Sequence, residues 1–260
     1  MSDVWASGDS YEPYVGRWSR RVAAEFLDRL AVEPQRRWLD LGCGTGALTA
    51  SILDRCVPSE VVGVDRSDGY IAWARKHIHD GRARFVVAEA THLPPGEFDV
   101  VVSGLVLNFL PDPGAALAAM RSRVPEGLVA AYVWDYAGRM ELMRHFWDAA
   151  VELDPAAADL DEGVRFPLCR PDRLEALWHE IGFTDVATWA IDIPTVFRDF
   201  TAYWTPFLGG QGPAPGYALS LDDRRRTELR DRIRAGLPFA EDGSIALTAR
   251  AWAVRGRSSF

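Results

Sequence analysis

Nine consecutive residues constrain this chain more than the rest of it: Trp38-Leu39-Asp40-Leu41-Gly42-Cys43-Gly44-Thr45-Gly46. Trp38, Leu39 and Leu41 read as a short buried strand. Gly42, Gly44 and Gly46 then strip every second Cβ from the residues that follow, as a sharp turn and a close approach to bare backbone require. A helix is expected next, from about Ala47 to Arg55. A strand that runs through a glycine turn into a helix N-terminus builds a nucleotide-sized pocket.

The spacing separates two kinds of nucleotide site. The dinucleotide fingerprint is G-x-G-x-x-G, whereas this turn is G-x-G-x-G, its third glycine one residue early. Asp40 ends the strand just before the first glycine. A carboxylate there repels a pyrophosphate and attracts a ligand that carries an ammonium. The apolar run Val61-Val62-Gly63-Val64 reads as a second strand ending at Asp65. That acid falls about 20 residues past the glycines, the distance at which a carboxylate accepts from ribose hydroxyls. A ribose acid without a phosphate site points to S-adenosylmethionine in preference to NAD. The plainer readings are a tight turn alone for the glycines and a helix N-cap for Asp65.

Strands at 37–41, 60–65, 84–88, 98–103 and 127–134 are interleaved with helices at 47–55, 68–79 and 112–123, the last entered through Asp112 and Pro113. This alternation predicts a parallel sheet with helices on both faces. A helix from about Ser19 to Leu30 precedes it, with Val22, Ala23, Phe26, Leu27 and Leu30 on one face. Beyond Asp135 the expected order is a helix from about Met140 to Leu153, a loop over 154–169 and a helix from Pro171 to near Gly182. A strand from Thr184 to Val196 and a last strand from Ile245 to Arg255 follow. Phe197 to Pro238 is far longer than a hairpin connection. It reads as a helix over 199–207, a loop over 209–216 and a charged helix over 221–236.

A length of 260 residues fits one α/β domain with an insertion, or a domain plus a small cap, and a 48% hydrophobic content is ample for a core. The net charge of −8 argues against a non-specific nucleic-acid binder. No apolar run approaches the ~20 residues of a membrane-spanning helix. Met1-Ser2-Asp3-Val4-Trp5 lacks the pattern of a signal peptide. Cys43, Cys56 and Cys169 are scattered, and a cytoplasmic setting is expected. The five His and three Cys show no zinc-ligand spacing, so no metal is expected.

At these residues the chain resembles a known family. LDLGCGTG followed by VVGVD is similar to motif I and the second strand of the class I S-adenosylmethionine-dependent methyltransferases, small-molecule type. Arg84 to Pro94 resembles the third strand and its adenine loop, with Glu89 at the acidic position. Phe98 to Ser103 resembles the fourth strand, and Pro125 to Asp135 the turn into the fifth. Tyr11 to Ser19 looks like the segment that some small-molecule members fold over the cofactor.

The resemblance implies a Rossmann-like, seven-stranded, mainly parallel sheet with an antiparallel last strand, helices on both faces and a helical insertion between strands six and seven. It implies a single domain over 1–260: a covering segment at 1–35, a cofactor-binding core at 36–135, and a C-terminal part at 136–260 with a substrate cap at about 197–240. Gly42, Gly44 and Gly46, with Cys43 between them, would line the backbone path beside the methionine part, and Asp40 lies beside them. Asp65 would take the ribose hydroxyls. Arg66 and Tyr70 would pack near the adenine, and Glu89, Ala90 and Thr91 would meet its edge. Ser103 and Gly104 would face the sulfonium and methyl. Tyr14 and Arg17 would close over the methionine carboxylate, Arg17 as its charge partner, unless they are ordinary surface residues. The Cys43 thiol reads as a small filler rather than a nucleophile.

Methyl transfer from a sulfonium is an in-line displacement, in which alignment alone supplies ~7–11 kcal/mol. A base is needed only where the acceptor must lose a proton. The acceptor is expected outside the carboxyl ends of strands four and five. Asn108, Trp134, Tyr203, Trp204 and Phe207 are its candidate contacts, and His145, Asp135 and Tyr136 the candidate catalytic groups. Many family members carry a His near the position of Asn108, and an Asn cannot act as a base. His145 is the best base by type, or else a helix-surface histidine. Trp204 and Phe207 read equally as core aromatics. The expected activity is methyl transfer to a small-molecule acceptor, with S-adenosylhomocysteine as product. The alternatives are a protein or RNA methyltransferase, or a catalytically silent relative that only binds the cofactor. No nucleic-acid or membrane partner is expected, and the chain would act as a monomer or homodimer.

Overall fold

The structure is a computed structural model that describes residues 17–209 and 212–259. In chain order its elements are α1 (Arg17–Leu30), β1 (Arg37–Leu41), α2 (Ala47–Arg55), β2 (Glu60–Asp65), α3 (Asp68–His77), β3 (Ala83–Val87) and β4 (Val100–Gly104). After them come α4 (Pro113–Ser122), β5 (Glu126–Trp134), α5 (Glu141–Leu153), α6 (Glu162–Arg165), α7 (Pro171–Ile181) and β6 (Thr184–Phe197). The last elements are α8 (Phe200–Trp204), α9 (Pro213–Ser220), α10 (Asp223–Gly236) and β7 (Ile245–Ser259). Tyr14 and the side chain of Arg17 lie outside the described residues.

The strands form one seven-stranded sheet in the order β3-β2-β1-β4-β5-β7-β6. β1 pairs in parallel with β2 and β4, β2 with β3, and β4 with β5. The last strand runs antiparallel. The central strands carry Trp38, Leu39, Leu41, Val61, Val62, Val64 and Val100 to Val102, all buried. They read as unbroken apolar runs because helices cover both faces. The chain lays down β1, β2 and β3 in one direction and then starts again with β4 on the other side of β1. That reversal opens a crevice at the carboxyl ends of β1 and β4.

The chain divides into two compact units. One comprises Ser19–Val133, Leu168–Ile191 and Ala251–Phe260, and the other is built on Trp134–Pro167 and Asp192–Arg250. In the first, α1 buries Val22, Ala23, Phe26, Leu27 and Leu30 as its period requires. Phe26 lies 4.8 Å from the Tyr132 ring and stacks on Trp189 at 6.1 Å. Asp112 caps α4 by accepting from the Ala115 N–H at 2.8 Å, with Pro113 in the first turn. α7 ends on Gly182 in the left-handed region, where the Phe183 N–H donates to the Trp178 carbonyl. In the second unit, α5 turns Phe146 and Trp147 inward. Phe146 stacks on Phe207 at 4.6 Å, and the Tyr203 hydroxyl donates to the Leu142 carbonyl at 2.8 Å.

Two segments differ from the sequence-based expectation. Residues 154–169 are not an irregular loop: 3-10 turns at Pro155–Leu160 and Pro167–Cys169 flank α6. Aspartates hold these turns, Asp154 accepting from Ala156 and Asp161 from Gly163. A turn fixed by its own side-chain cap has no hydrophobic period to reveal it. The glycine-rich loop stops at Gly212, and Pro213–Ser220 is helical, with proline in its first turn.

Candidate cofactor site

The glycine turn is pinned to β2. The Gly42 and Cys43 N–H groups both donate to the Val64 carbonyl, at 2.7 and 2.9 Å, and the Gly46 N–H returns to the Cys43 carbonyl at 2.8 Å. All three glycines have positive φ, +70°, +53° and +88°. Their surroundings differ. A Cβ on Gly42 would lie 2.6 Å from the Val106 methyls, and one on Gly46 would lie 2.4 Å from Ile78 Cδ1. A Cβ on Gly44 would meet nothing within 4 Å among the described residues. Gly42 and Gly46 thus admit neighbouring side chains, and Gly44 alone faces open space.

Asp65 is fixed across this opening. Its Oδ2 accepts from the Gly44 N–H at 3.0 Å and its Oδ1 from the Ser67 N–H at 2.9 Å. The Arg66 N–H also bonds this carboxylate, so backbone groups alone anchor it. Burial raises its carboxyl above the usual range. The N-cap of α3 is Ser67, which accepts from the Tyr70 N–H, so Asp65 does not serve as that cap. The Tyr70 hydroxyl is buried without a partner among the described residues, and burial pushes it up to about 12.

Asp40 is fully buried at the end of β1. Thr49, on α2, donates its hydroxyl to Oδ2 at 2.7 Å, while Oδ1 has no partner among the described residues. Burial pushes the carboxyl up to about 7; the Thr49 bond opposes the shift and the Asp65 charge adds to it. A buried carboxylate with one oxygen unsatisfied is the group that a cationic ligand completes. Thr49 escapes a reading of the sequence because only folding brings it under Asp40. The same holds for Val106 and Ile78, the side chains that make two of the glycines necessary.

The other expected cofactor contacts fall into three kinds. The Cys43 thiol packs with Ile71, Ala74 and Phe85, and burial pushes it up, so only its backbone belongs to the turn. The Ser103 hydroxyl donates to the Leu41 carbonyl at 2.9 Å and ties β4 to β1. A Cβ on Gly104 would lie 2.5 Å from the Tyr132 hydroxyl oxygen, so this glycine admits Tyr132. Arg66, Glu89 and Thr91 are exposed and Ala90 partly so. They follow the ends of β2 and β3, which the Ala88 N–H joins by donating to the Asp65 carbonyl. Asn108 lies in a 3-10 turn, Leu107–Phe109, beyond β4. It is buried, and neither atom of its carboxamide has a partner among the described residues.

The remaining expected residues belong to the second unit. Asp135 organises the turn into α5: its Oδ2 accepts from the Arg139 N–H at 2.9 Å and its carbonyl from Gly138 and Met140. Tyr136 is buried 6.1 Å from the Phe166 ring. Trp134 is buried, and Tyr203 and Phe207 are fully buried in the aromatic interior. Trp204 stacks on Phe200 at 6.5 Å. His145 is half-buried on α5, and burial lowers its pKa, which keeps it neutral at neutral pH.

A sheet that reverses at β1 and β4, with bare backbone at Gly44, an anchored carboxylate at Asp65 and a half-satisfied one at Asp40, defines an α/β nucleoside-binding enzyme of the doubly wound class. Known proteins narrow that class. The family model described as "Methyltransferase domain" matches residues 39–131. Trans-aconitate 2-methyltransferase of Methylobacterium radiotolerans is 32% identical over 223 residues, covering 66% of this chain and 84% of that protein. Malonyl-[acyl-carrier protein] O-methyltransferase of Geobacter sulfurreducens is 28% identical over 243 residues, covering 92% and 89%. Phosphoethanolamine N-methyltransferase 2 of Haemonchus contortus, solved with phosphomonomethylethanolamine and S-adenosylhomocysteine, superposes with a TM-score of 0.60 at 15% identity, over 97% of this chain and 57% of that one. The chain belongs to the class I S-adenosylmethionine-dependent methyltransferases, with S-adenosylmethionine as cofactor and a small molecule as acceptor. Among the described residues, no helix is long and apolar enough to cross a membrane.

Proposed function

We propose that this enzyme methylates a carboxylate oxygen of a small organic acid, and that the crevice at β1 and β4 holds its cofactor. The cluster of Gly44, Asp65 and Asp40 carries the assignment of the cofactor site. Gly44 gives room for close approach. Asp65 offers two anchored acceptor oxygens to the ribose, and Asp40 offers its unpaired Oδ1 to the ammonium. Tyr70, Arg66 and the Glu89-Ala90-Thr91 loop attend the adenine, and Tyr14 and Arg17 the methionine carboxylate.

When bound, S-adenosylmethionine supplies a methyl group already activated on a sulfonium. The chain's part is then to hold the acceptor in line and to keep water out. Two observations favour an acid as acceptor. The two relatives quoted above by sequence identity are named for trans-aconitate and malonyl-[acyl-carrier protein], both of which carry free carboxylates. Asn108, beyond β4, cannot take a proton, and an acid ionised near pH 4 has none to give. Neutral His145 is not required on this reading.

Calorimetric titration with S-adenosylmethionine, S-adenosylhomocysteine and NADH tests the cofactor site. Both adenosyl compounds should bind and NADH should not. Asp65→Ala should weaken S-adenosylhomocysteine about 10- to 100-fold, the loss expected when hydrogen bonds to a charged group are removed. Unchanged affinity would remove the ribose assignment. Release of S-adenosylhomocysteine in the presence of trans-aconitate, compared with a catechol and an amine, tests the acceptor class.

A further inference from the structure

The turn after β4 carries a polar group that neither the fold nor the cofactor site above uses. Asn108 is 8% exposed, and both Oδ1 and Nδ2 are buried with no hydrogen-bond partner among the described residues. An amide left so is unfavourable, and native folds keep few of them without a ligand or water to complete them. Other buried atoms share this condition, among them Trp38 Nε1, Trp189 Nε1 and Thr195 Oγ1; of those near the glycine turn, Asp40 Oδ1 and the Tyr70 hydroxyl lie on the β1 and β2 side, where the cofactor proposed above accounts for them. Asn108 lies beyond β4, on the other side of the reversal.

The segment that carries it has little freedom to find a partner. The Leu105 N–H donates to the Tyr132 carbonyl at 2.8 Å. Val106 packs against Gly42, the first residue of the glycine turn. The Phe109 and Leu110 N–H groups close a tight turn onto the Val106 and Leu107 carbonyls. Leu105 has a φ of +62°, in the left-handed region that a branched side chain rarely adopts. A strained backbone beside an unsatisfied buried amide, at the carboxyl edge of a doubly wound sheet, is the signature of a ligand contact.

We propose that Asn108 is the specificity-determining residue for the acceptor: Nδ2 donates to one carboxylate oxygen and leaves the other free to be methylated, while Oδ1 accepts from a donor elsewhere on the acceptor. The inference rests on the carboxylate reading above and adds the group that enforces it. A carboxamide can donate to an anion but cannot remove a proton. It therefore selects acceptors that arrive ionised and rejects phenols and amines that must first be deprotonated.

The test uses the full chain with trans-aconitate as probe, by methylation kinetics and by calorimetric binding to protein saturated with S-adenosylhomocysteine. Asn108→Ala should lower kcat/KM and acceptor affinity about 10- to 100-fold. Asn108→Asp should lower both further, because it sets a carboxylate against the probe. S-adenosylhomocysteine affinity should stay at the wild-type value. If Asn108→Asp does not fold, Asn108→Leu keeps the size and removes both hydrogen-bonding atoms. Variants that keep wild-type kinetics and probe affinity would overturn the inference and leave the carboxylate reading standing. A loss of S-adenosylhomocysteine affinity would overturn it by making Asn108 a cofactor contact. Wild-type protein that takes catechol or amine but no acid would overturn the carboxylate reading and the inference with it.

Discussion

Asp40 is a buried carboxyl that costs the fold stability as pH rises. Its carboxyl is held near 7 when folded, against about 3.9 in an unfolded chain. Between those values the folded state binds more protons than the unfolded one. The stability from a neutral Asp40 is therefore complete below about pH 4 and is lost as pH rises through about 7. Glu162 acts in the same direction: it is buried, accepts from Trp147 Nε1 and is likewise pushed up to about 7. Each group contributes a slope of up to about 1.4 kcal/mol per pH unit. The thermal midpoint should fall from pH 5 to pH 8. Asp40→Asn and Glu162→Gln should each flatten that fall, and a midpoint that rises over this range would contradict both assignments. The glycines give a second residue-scale prediction. Gly44→Ala meets only the left-handed backbone cost, about 1–2 kcal/mol, yet fills the open side of the turn. It should stay folded and lose S-adenosylhomocysteine binding. Gly46→Ala meets that cost and Ile78 as well, so it should be less stable than Gly44→Ala when both are unfolded in urea.

At the scale of elements, the alternation of strands and helices from β1 to β5 was legible because it is written in local periods. Asp112 and Pro113 mark the start of α4 for the same reason, since a cap acts within one turn. The 154–169 segment was not legible. Its order comes from Asp161, which caps α6 and pairs with Arg144 on α5 at 2.5 Å. Both side chains of that pair are largely buried. Asp161→Ala would leave the Arg144 charge buried without its close partner, an arrangement that costs about 3–5 kcal/mol. Urea unfolding should show a loss of that order. A loss under 1 kcal/mol would make the pair a surface ornament and α6 self-sufficient.

For the whole molecule, the reversal of strand order at β1 and β4 decides where a ligand can enter. Cofactor binding should therefore stabilise the folded chain against heat. At a free concentration one hundred times Kd, S-adenosylhomocysteine adds about 2.7 kcal/mol, a rise of roughly 5–10 °C for a chain of this size. Scanning fluorimetry with S-adenosylhomocysteine and with NADH measures it; an equal rise with both would point to a non-selective nucleotide site. The net charge of −8 and the cysteine pattern spoke only to partners and setting.

The sequence by itself determined the cofactor class. The early third glycine, the acid before it and the acid after β2 are spacings along one strand–turn–helix–strand unit, and chain geometry fixes what lies that close. Only the tertiary structure decided what each of those residues is for. Val106 and Ile78 claim the space beside Gly42 and Gly46 and leave Gly44 open. Thr49 satisfies half of Asp40, and Ser103 spends its hydroxyl on Leu41. Tyr203 and Phe207, expected at the acceptor, fill an aromatic interior, while Asn108 is left buried and unpaired among the described residues. The reason is one of range. A local spacing constrains a residue's neighbours within a turn or a crossover, but hydrogen-bond satisfaction and free volume are settled by side chains that arrive from other elements only when the core closes.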